Sequence, residues 1–175
     1  DFYFQAVGSG TGAIAAWEAN QRFLRDGRFG TNRMRLMLSQ NSPFLVIHDS
    51  WKRGIRELAS LDVEQARQDV SGLYARVLSN RQPPYSVRGG VYDALRDTDG
   101  DVLPVSNEEA IIAGSLFERA EGIDIAPAAA VAVASLVNAV RERRVSRDDV
   151  IMLNITGGGM ERLLREHAVY QIAPS

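Results

Sequence analysis

The sequence predicts an α/β protein: a mostly parallel sheet with helices on both faces. Strand-like runs alternate with helical ones along the chain. The clearest strands are continuous apolar runs rather than alternating ones, the pattern of strands covered on both sides. Both glycine-rich segments follow such a run directly. In sheets of this kind ligands bind beyond the carboxyl ends of the strands, so both loops fall where a site is expected.

Phe2 to Val7 reads as the first strand. Gly8-Ser9-Gly10-Thr11-Gly12 follows, and a helix begins at Ala13 and stops at Gly27 and Gly30. Met34 to Leu38 is the next strand, broken by Ser39-Gln40-Asn41-Ser42-Pro43. Phe44 to Leu58 reads as helix, with Trp51, Ile55 and Leu58 at helical spacing. Asp62 is an N-cap for a helix carrying Val63, Ala66, Val70, Leu73, Tyr74 and Val77. Ser79 to Pro84 is irregular, because two consecutive prolines remove donors and favour extended backbone. A short helix runs from Val91 to Arg96, a turn from Asp97 to Gly100, and a strand from Asp101 to Val105. Ser106 and Glu109 form a capping box for a helix ending at Glu121-Gly122. Pro127 suits the first turn of a helix that continues through Ala128 to Val140 almost without charge, and is therefore buried on most sides. Val150 to Ile155 is the last strand, Thr156-Gly157-Gly158-Gly159 its loop, and Met160 to Glu166 a final short helix.

The 175 residues correspond to about one domain. Net charge is −2, so no basic excess exists to grip a nucleic-acid backbone. The longest apolar stretch, Ala126 to Val140, is interrupted by Pro127, Ser135 and Asn138 and is too short for a membrane span. No cysteine is present, which excludes disulfides and thiolate chemistry and fits a reducing, cytoplasmic setting. The chain opens at Asp1 inside an apolar run, without Met and without the pattern of a signal peptide, as though cut from something longer.

The first loop has the composition of an anion cradle. Glycines let backbone N–H groups approach a phosphate, Ser9 and Thr11 add hydroxyls, and a helix N-terminus adds roughly half a positive charge. The alternative is a tight turn that binds nothing. Gly8-x-Gly10-x-x-Ala13 formally satisfies the dinucleotide fingerprint, but Leu38-Ser39-Gln40-Asn41 offers no acidic residue for a ribose hydroxyl. The phosphate loop of nucleotide hydrolases needs a lysine after its glycines, and none follows. The second loop alone is equally readable as a structural turn.

Taken together the segments resemble fold type II pyridoxal-phosphate enzymes, the tryptophan synthase β-like group, and within it the threonine synthases and their cysteate-forming paralogues. The resemblance rests on Gln5-Ala6-Val7-Gly8-Ser9-Gly10-Thr11-Gly12, Ser39-Gln40-Asn41, Ser79 to Tyr85, Gly89-Gly90-Val91-Tyr92-Asp93, Val105 to Glu109, Glu121 to Ala130 and Leu153 to Gly159. It implies that Gly8, Ser9, Gly10, Thr11 and Gly12 hold the 5′-phosphate of pyridoxal 5′-phosphate. It implies that Thr156 hydrogen-bonds the pyridine nitrogen, and that Asn80 to Tyr85 and Glu121 lie near the ring. A neutral hydroxyl leaves that nitrogen unprotonated and the ring a weaker electron sink, which favours β-elimination and replacement over transamination. The implied reaction is replacement of the phosphate of O-phosphoserine by sulfite, giving cysteate; the threonine synthase-like alternative acts on O-phosphohomoserine with water. The family further implies an amino-acid substrate and a homodimer.

One departure matters. The family's Schiff-base lysine precedes the phosphate loop, and here the sole lysine is Lys52, beside Arg53 and near Arg56, where it reads as a solvated surface charge. Residues 1–175 are accordingly expected to be the C-terminal part of the cofactor-binding large domain, catalytically inactive alone, with the small domain and the lysine elsewhere in the polypeptide. A non-catalytic anion-binding module is the reading from another class. His48 and His167 have no metal-ligand spacing. Asp97-Thr98-Asp99-Gly100-Asp101 reads as a turn rather than a calcium loop. Arg141 to Arg144 is a solvated helix end, and Trp17 and Trp51 are core or interface residues.

Overall fold

Four parallel strands form one sheet in the order β3-β2-β1-β4 in the computed structural model, which describes residues 1–168. The strands are β1 (Phe2–Ala6), β2 (Arg35–Asn41), β3 (Asp101–Val105) and β4 (Ile151–Leu153). The helices are α1 (Thr11–Asp26), α2 (Val46–Lys52), α3 (Val63–Ser71), α4 (Val91–Asp97), α5 (Asn107–Glu121), α6 (Pro127–Arg141) and α7 (Met160–Glu166), with a short 3-10 turn at Arg76–Leu78. Among the described residues no helix is long and apolar enough to cross a membrane.

Both faces of the sheet are covered over β1 and β2, as their apolar runs predict, whereas Pro104 of β3 and Met152 of β4 are exposed. Tyr3, Val7, Leu36 and Leu38 lie beneath Ala13 of α1, Ile47 of α2, and Val91 and Leu95 of α4. Phe2, Phe4, Met37 and Leu103 form the opposite face with Ala139 of α6. Helix α6 runs between the sheet and α5, with residues 128 to 135 all buried. Its alanines bring the backbone close to both neighbours, which bulkier side chains would hold apart. Ala126 sits at the N-cap and Pro127 at the first turn, as expected of a proline whose missing N–H has no partner to lose there.

The capping box holds as predicted: Ser106 Oγ accepts from Glu109 N–H, and the Glu109 carboxylate from Ser106 N–H. Asp62 caps α3 through Gln65 N–H, and α1 ends at Gly27 with φ +75°. Several boundaries differ. Helix α3, expected to carry Tyr74 and Val77, stops at Ser71, and Arg76–Leu78 is a separate 3-10 turn. Helix α1 begins at Thr11, so Gly12 belongs to its first turn and not to the loop. The helix expected over 44–58 spans only Val46–Lys52, because the chain turns at Gly54 with φ +67°. The last strand is regular only over Ile151–Leu153, with single hydrogen bonds to β1 extending it at Val150 and Asn154.

Ser39-Gln40-Asn41, expected to break β2, instead completes it and is fully buried. Some of these polar groups find partners that periodicity cannot show, while Ser39 Oγ and Gln40 Nε2 are buried without one among the described residues. Gln40 Oε1 accepts from Ile47 and His48 N–H, closing the N-terminus of α2. Asn41 Oδ1 accepts from Ala75 N–H at 2.9 Å, and its Nδ2 donates to Val105 O and Asn107 Oδ1, both at 3.0 Å. Asn41 therefore joins β2, β3, α5 and the segment before the 3-10 turn. Asn41→Leu would leave a buried N–H unpaired, a change that costs about 1–3 kcal/mol with further loss from the broken network. A urea titration is expected to show that loss; one within about 0.5 kcal/mol of the native value, the scale of a neutral surface change, would show that the network contributes little.

Candidate functional site

Strand order decides where a ligand can sit. From β1 the chain crosses to β2 over the face covered by α1, whereas the connection into β4, on the other side of β1, runs through α5 and α6 on the opposite face. Adjacent parallel strands whose connections diverge in this way leave a crevice at their carboxyl ends. That crevice lies between β1 and β4. The two glycine loops leave the sheet there: Gly8 follows the end of β1 by two residues, and Thr156 follows the end of β4 by three. The ladder continues past β4, with Asn154 N–H donating to Phe4 O at 2.9 Å.

The first loop is tightly built. Gly10 is the N-cap of α1 at φ +80°, and a Cβ there would meet Val91 Cγ2 at 2.4 Å. A Cβ on Gly8 would approach Val77 O at 3.1 Å and Leu78 Cα at 3.2 Å. These glycines permit a backbone path that side chains would block. That path leaves donors open. Among the described residues, no protein acceptor takes the N–H of Gly8, Ser9, Gly10, Gly12 or Ala13. Thr11 N–H has only a 3.4 Å contact to Ser9 Oγ, and the Ser9 and Thr11 hydroxyls meet at 3.0 Å. No acidic residue occupies the first turn of α1. By contrast α5 closes its own N-terminus with a side chain and a carboxylate. Helix α1 has sixteen residues and an uncapped N-terminus of unpaired amides, and it suits an anion of the phosphate class on geometry and charge alike.

The second loop is fastened to the start of α6. Ala126 N–H donates to Gly157 O and Gly159 N–H to Asp124 O, each at 2.8 Å, and Ile125 bridges Gly158. A Cβ on Gly158 would meet Asp124 O at 2.3 Å. Two stretches that resemble one family in the sequence, Glu121 to Ala130 and Thr156 to Gly159, are thus one structural unit. Thr156 is exposed at its rim.

Not every expected neighbour is brought to this edge. Val77 and Leu78 abut Gly8, and Asn80, two residues on, folds over its own turn by accepting from Gln82 N–H. Tyr85 is fully buried, its hydroxyl donating to Ile55 O, and burial raises its pKa; it is a core residue. Glu121 is exposed at the end of α5. His48 is part-buried on α2, its Nδ1 beside Asp49. Trp17 and Trp51 both pack on the first core cluster, donating to Asp97 and Asp101 respectively. Three polar residues at the crevice floor carried no individual signal in the sequence. Asn154 Nδ2 donates to Tyr3 Oη at 2.9 Å, and Tyr3 Oη donates to Gln5 Oε1 at 3.0 Å.

Lys52 lies at the other edge of the sheet. Helix α2 runs back from the carboxyl end of β2, and Lys52 Nζ donates to Asp101 Oδ1 at 2.7 Å, at the first residue of β3. The length of β3, about 13 Å at about 3.3 Å per residue, separates that contact from the carboxyl edge. Asp101 also accepts from Arg144 at 2.6 Å and from Trp51 Nε1 at 3.1 Å. This lysine is a structural partner.

A family model described as "Pyridoxal-phosphate dependent enzyme" matches residues 1–157. The chain is 53% identical over 175 residues to the cysteate synthase of Methanosarcina acetivorans and 52% identical to that of Methanosarcina barkeri. It covers 42% of each, so it spans less than half the length of these curated relatives. Among solved structures it is similar to the threonine deaminase of Solanum lycopersicum (processed form of isoform 2), with TM-score 0.62 and 12% identity over 94% of this chain and 42% of that one. It is also similar to the serine racemase of Dictyostelium discoideum, with TM-score 0.60 and 14% identity over 90% of this chain and 43% of that one. The two structures share the fold of this chain.

Asp101 yields a pH test. Burial pushes its carboxyl pKa up, but the donors Lys52, Arg144 and Val102 N–H pull it further down, leaving it below the ordinary aspartate value. A group depressed in the folded state stabilises above its unfolded pKa, near 3.9, and that contribution fades as pH falls through the folded value. Asp101→Asn is expected to lower stability at pH 7 and to flatten the acid limb of stability against pH below about 4. Parallel acid limbs for the two proteins in chemical denaturation would show that Asp101 carries no such linkage.

Proposed function

The chain belongs to the pyridoxal-phosphate dependent enzyme family, and from that premise we propose that its opening loop holds the cofactor's 5′-phosphate and that the complete protein performs β-replacement on a phosphorylated amino acid. The observation that carries the reading is the row of unpaired amides at Gly8, Ser9, Gly10, Gly12 and Ala13, beside a second loop bearing Thr156, at one strand-order reversal. Residues 1–175 are then the C-terminal part of the large domain, and the rest of the polypeptide provides the small domain and the Schiff-base lysine. A cytoplasmic homodimer is the setting we assign.

When bound, pyridoxal phosphate supplies an electron sink for bonds at the substrate's α- and β-carbons. The chain's own residues orient it. The loop amides and the Ser9 and Thr11 hydroxyls bind the phosphate without a cation, aided by the α1 terminus. Thr156 donates a neutral hydrogen bond toward the pyridine nitrogen and gives up no proton, which holds the sink weak and favours elimination and replacement. The wall from Val77 to Pro84 is stiffened by Pro83 and Pro84. The substrate reading is O-phosphoserine: its Cβ–O bond breaks to release phosphate, and a Cβ–S bond forms to sulfite, giving cysteate. The identity to proteins named cysteate synthase supports this choice. O-phosphohomoserine with water, the threonine synthase-like reaction, is the second reading.

The complete protein is expected to release phosphate from O-phosphoserine and to form cysteate only when sulfite is present. Threonine and phosphate from O-phosphohomoserine, with no cysteate, would select the second reading instead. Gly10→Ala adds a Cβ at φ +80° against Val91, a strain of about 1–2 kcal/mol before the clash is counted. Equilibrium titration with pyridoxal phosphate is expected to show at least tenfold weaker binding by this variant. Unchanged affinity would remove the loop from the cofactor site.

A further inference from the structure

Gln5 is the one polar side chain of β1 apart from the Tyr3 hydroxyl, and it is 8% exposed. Its direction is set by a one-way hydrogen-bond relay. Asn154 Nδ2 can only donate, so Tyr3 Oη accepts there and must spend its own proton on Gln5 Oε1. Burial raises the Tyr3 pKa, against the opposing donation from Asn154, so the phenol keeps that proton through neutral pH. With Oε1 committed to Tyr3, the amide nitrogen faces the other way, against the first turn of α1. A Cβ on Gly12 would meet Gln5 Nε2 at 2.4 Å. Among the described residues Nε2 has no acceptor, and it lies against Gly12, whose own N–H is unpaired. A donor without a protein acceptor, on a residue that is nine-tenths buried and oriented by two other side chains toward the first turn of α1, has the arrangement of an additional anion ligand.

We propose that the Gln5 carboxamide is a further donor to the phosphate held by the Gly8–Gly12 loop, and that Tyr3 and Asn154 are positioning residues that aim it. The proposal rests on the loop being the phosphate cradle. It assigns a role to the glycine at position 12: the missing Cβ lets the amide nitrogen reach the helix terminus from below. It also ties the two loops together, since Asn154 leads directly to Thr156 and its pull on Tyr3 fixes the Gln5 amide under α1.

The test uses the complete protein and three probes: pyridoxal phosphate, inorganic phosphate and pyridoxal, which lacks the phosphate. Gln5→Leu is expected to weaken pyridoxal phosphate and inorganic phosphate by about tenfold to a hundredfold, the scale of one hydrogen bond to a charged group. Pyridoxal affinity should stay as in the native protein. Gln5→Glu, which sets a negative charge at the same place, should weaken the phosphate probes more than Gln5→Leu. Tyr3→Phe keeps the ring and frees the amide to turn, so it should give a smaller loss, again confined to the two phosphate probes; it also serves if Gln5→Leu does not fold. Equal losses for pyridoxal and pyridoxal phosphate would mark Gln5 as merely structural and overturn the proposal. If the native protein binds the phosphate probes and Gln5→Leu matches it, the Gln5 assignment alone falls. If the native protein binds neither, the reading of the loop falls with it.

Discussion

Strand β1 is paired in parallel on both edges, with β2 through Phe2 to Ala6 and with β4 through Phe2 to Phe4. The rest of the arrangement depends on that double pairing. A parallel neighbour requires a crossover, and β1 has one neighbour reached directly over one face and another reached only after α5 and α6 have covered the other face. Loops far apart in the chain, at Gly8 and at Thr156, therefore leave the sheet side by side. A sheet in which β4 joined beyond β3 would keep every local element and lose the crevice.

The electrostatic character of the crevice follows from what its residues omit. Helix α1 has no capping side chain, no acid in its first turn and, among the described residues, no internal acceptor for its leading amides. Helices α3 and α5 satisfy theirs with Asp62, Ser106 and Glu109. A run of open donors at a solvent-facing edge retains its hydration until an anion replaces it. Dipole and amides then act together, in a loop that carries no cationic side chain of its own. Lys52 takes part in a different network, with Asp101, Arg144 and Trp51 at the amino edge, where it supports the junction of α2 and β3.

Buried polar residues are where reading from the chain and reading from the fold part ways. Gln5, Gln40 and Asn41 lie in strands; Gln40 and Asn41 look like a break in an apolar run, and Gln5 is a polar residue inside one. In the fold each has a defined task. Gln40 closes α2, Asn41 ties two strands to α5, and Gln5 turns toward the first turn of α1. Propensity counts them as exceptions because such partners lie well outside the local window, 7 positions away for Gln40 and 66 for Asn41. The same holds for the short α2 helix. Trp51, Ile55 and Leu58 have helical spacing, yet Gly54 turns the chain between them.

Local chemistry was sufficient for much of this protein. Continuous apolar strands, Ser106 with Glu109, Pro127, and glycines directly after strands each state their structure through contacts within a few residues, and the kinship with pyridoxal-phosphate enzymes could be read from the motifs. The tertiary structure alone decided that the two glycine loops share an edge, that Lys52 lies away from it, and that Tyr3, Gln5 and Asn154 form one relay. Those relations join side chains far apart along the polymer. They are set by strand order and register, which depend on the packing of the whole sheet rather than on any segment's own preference.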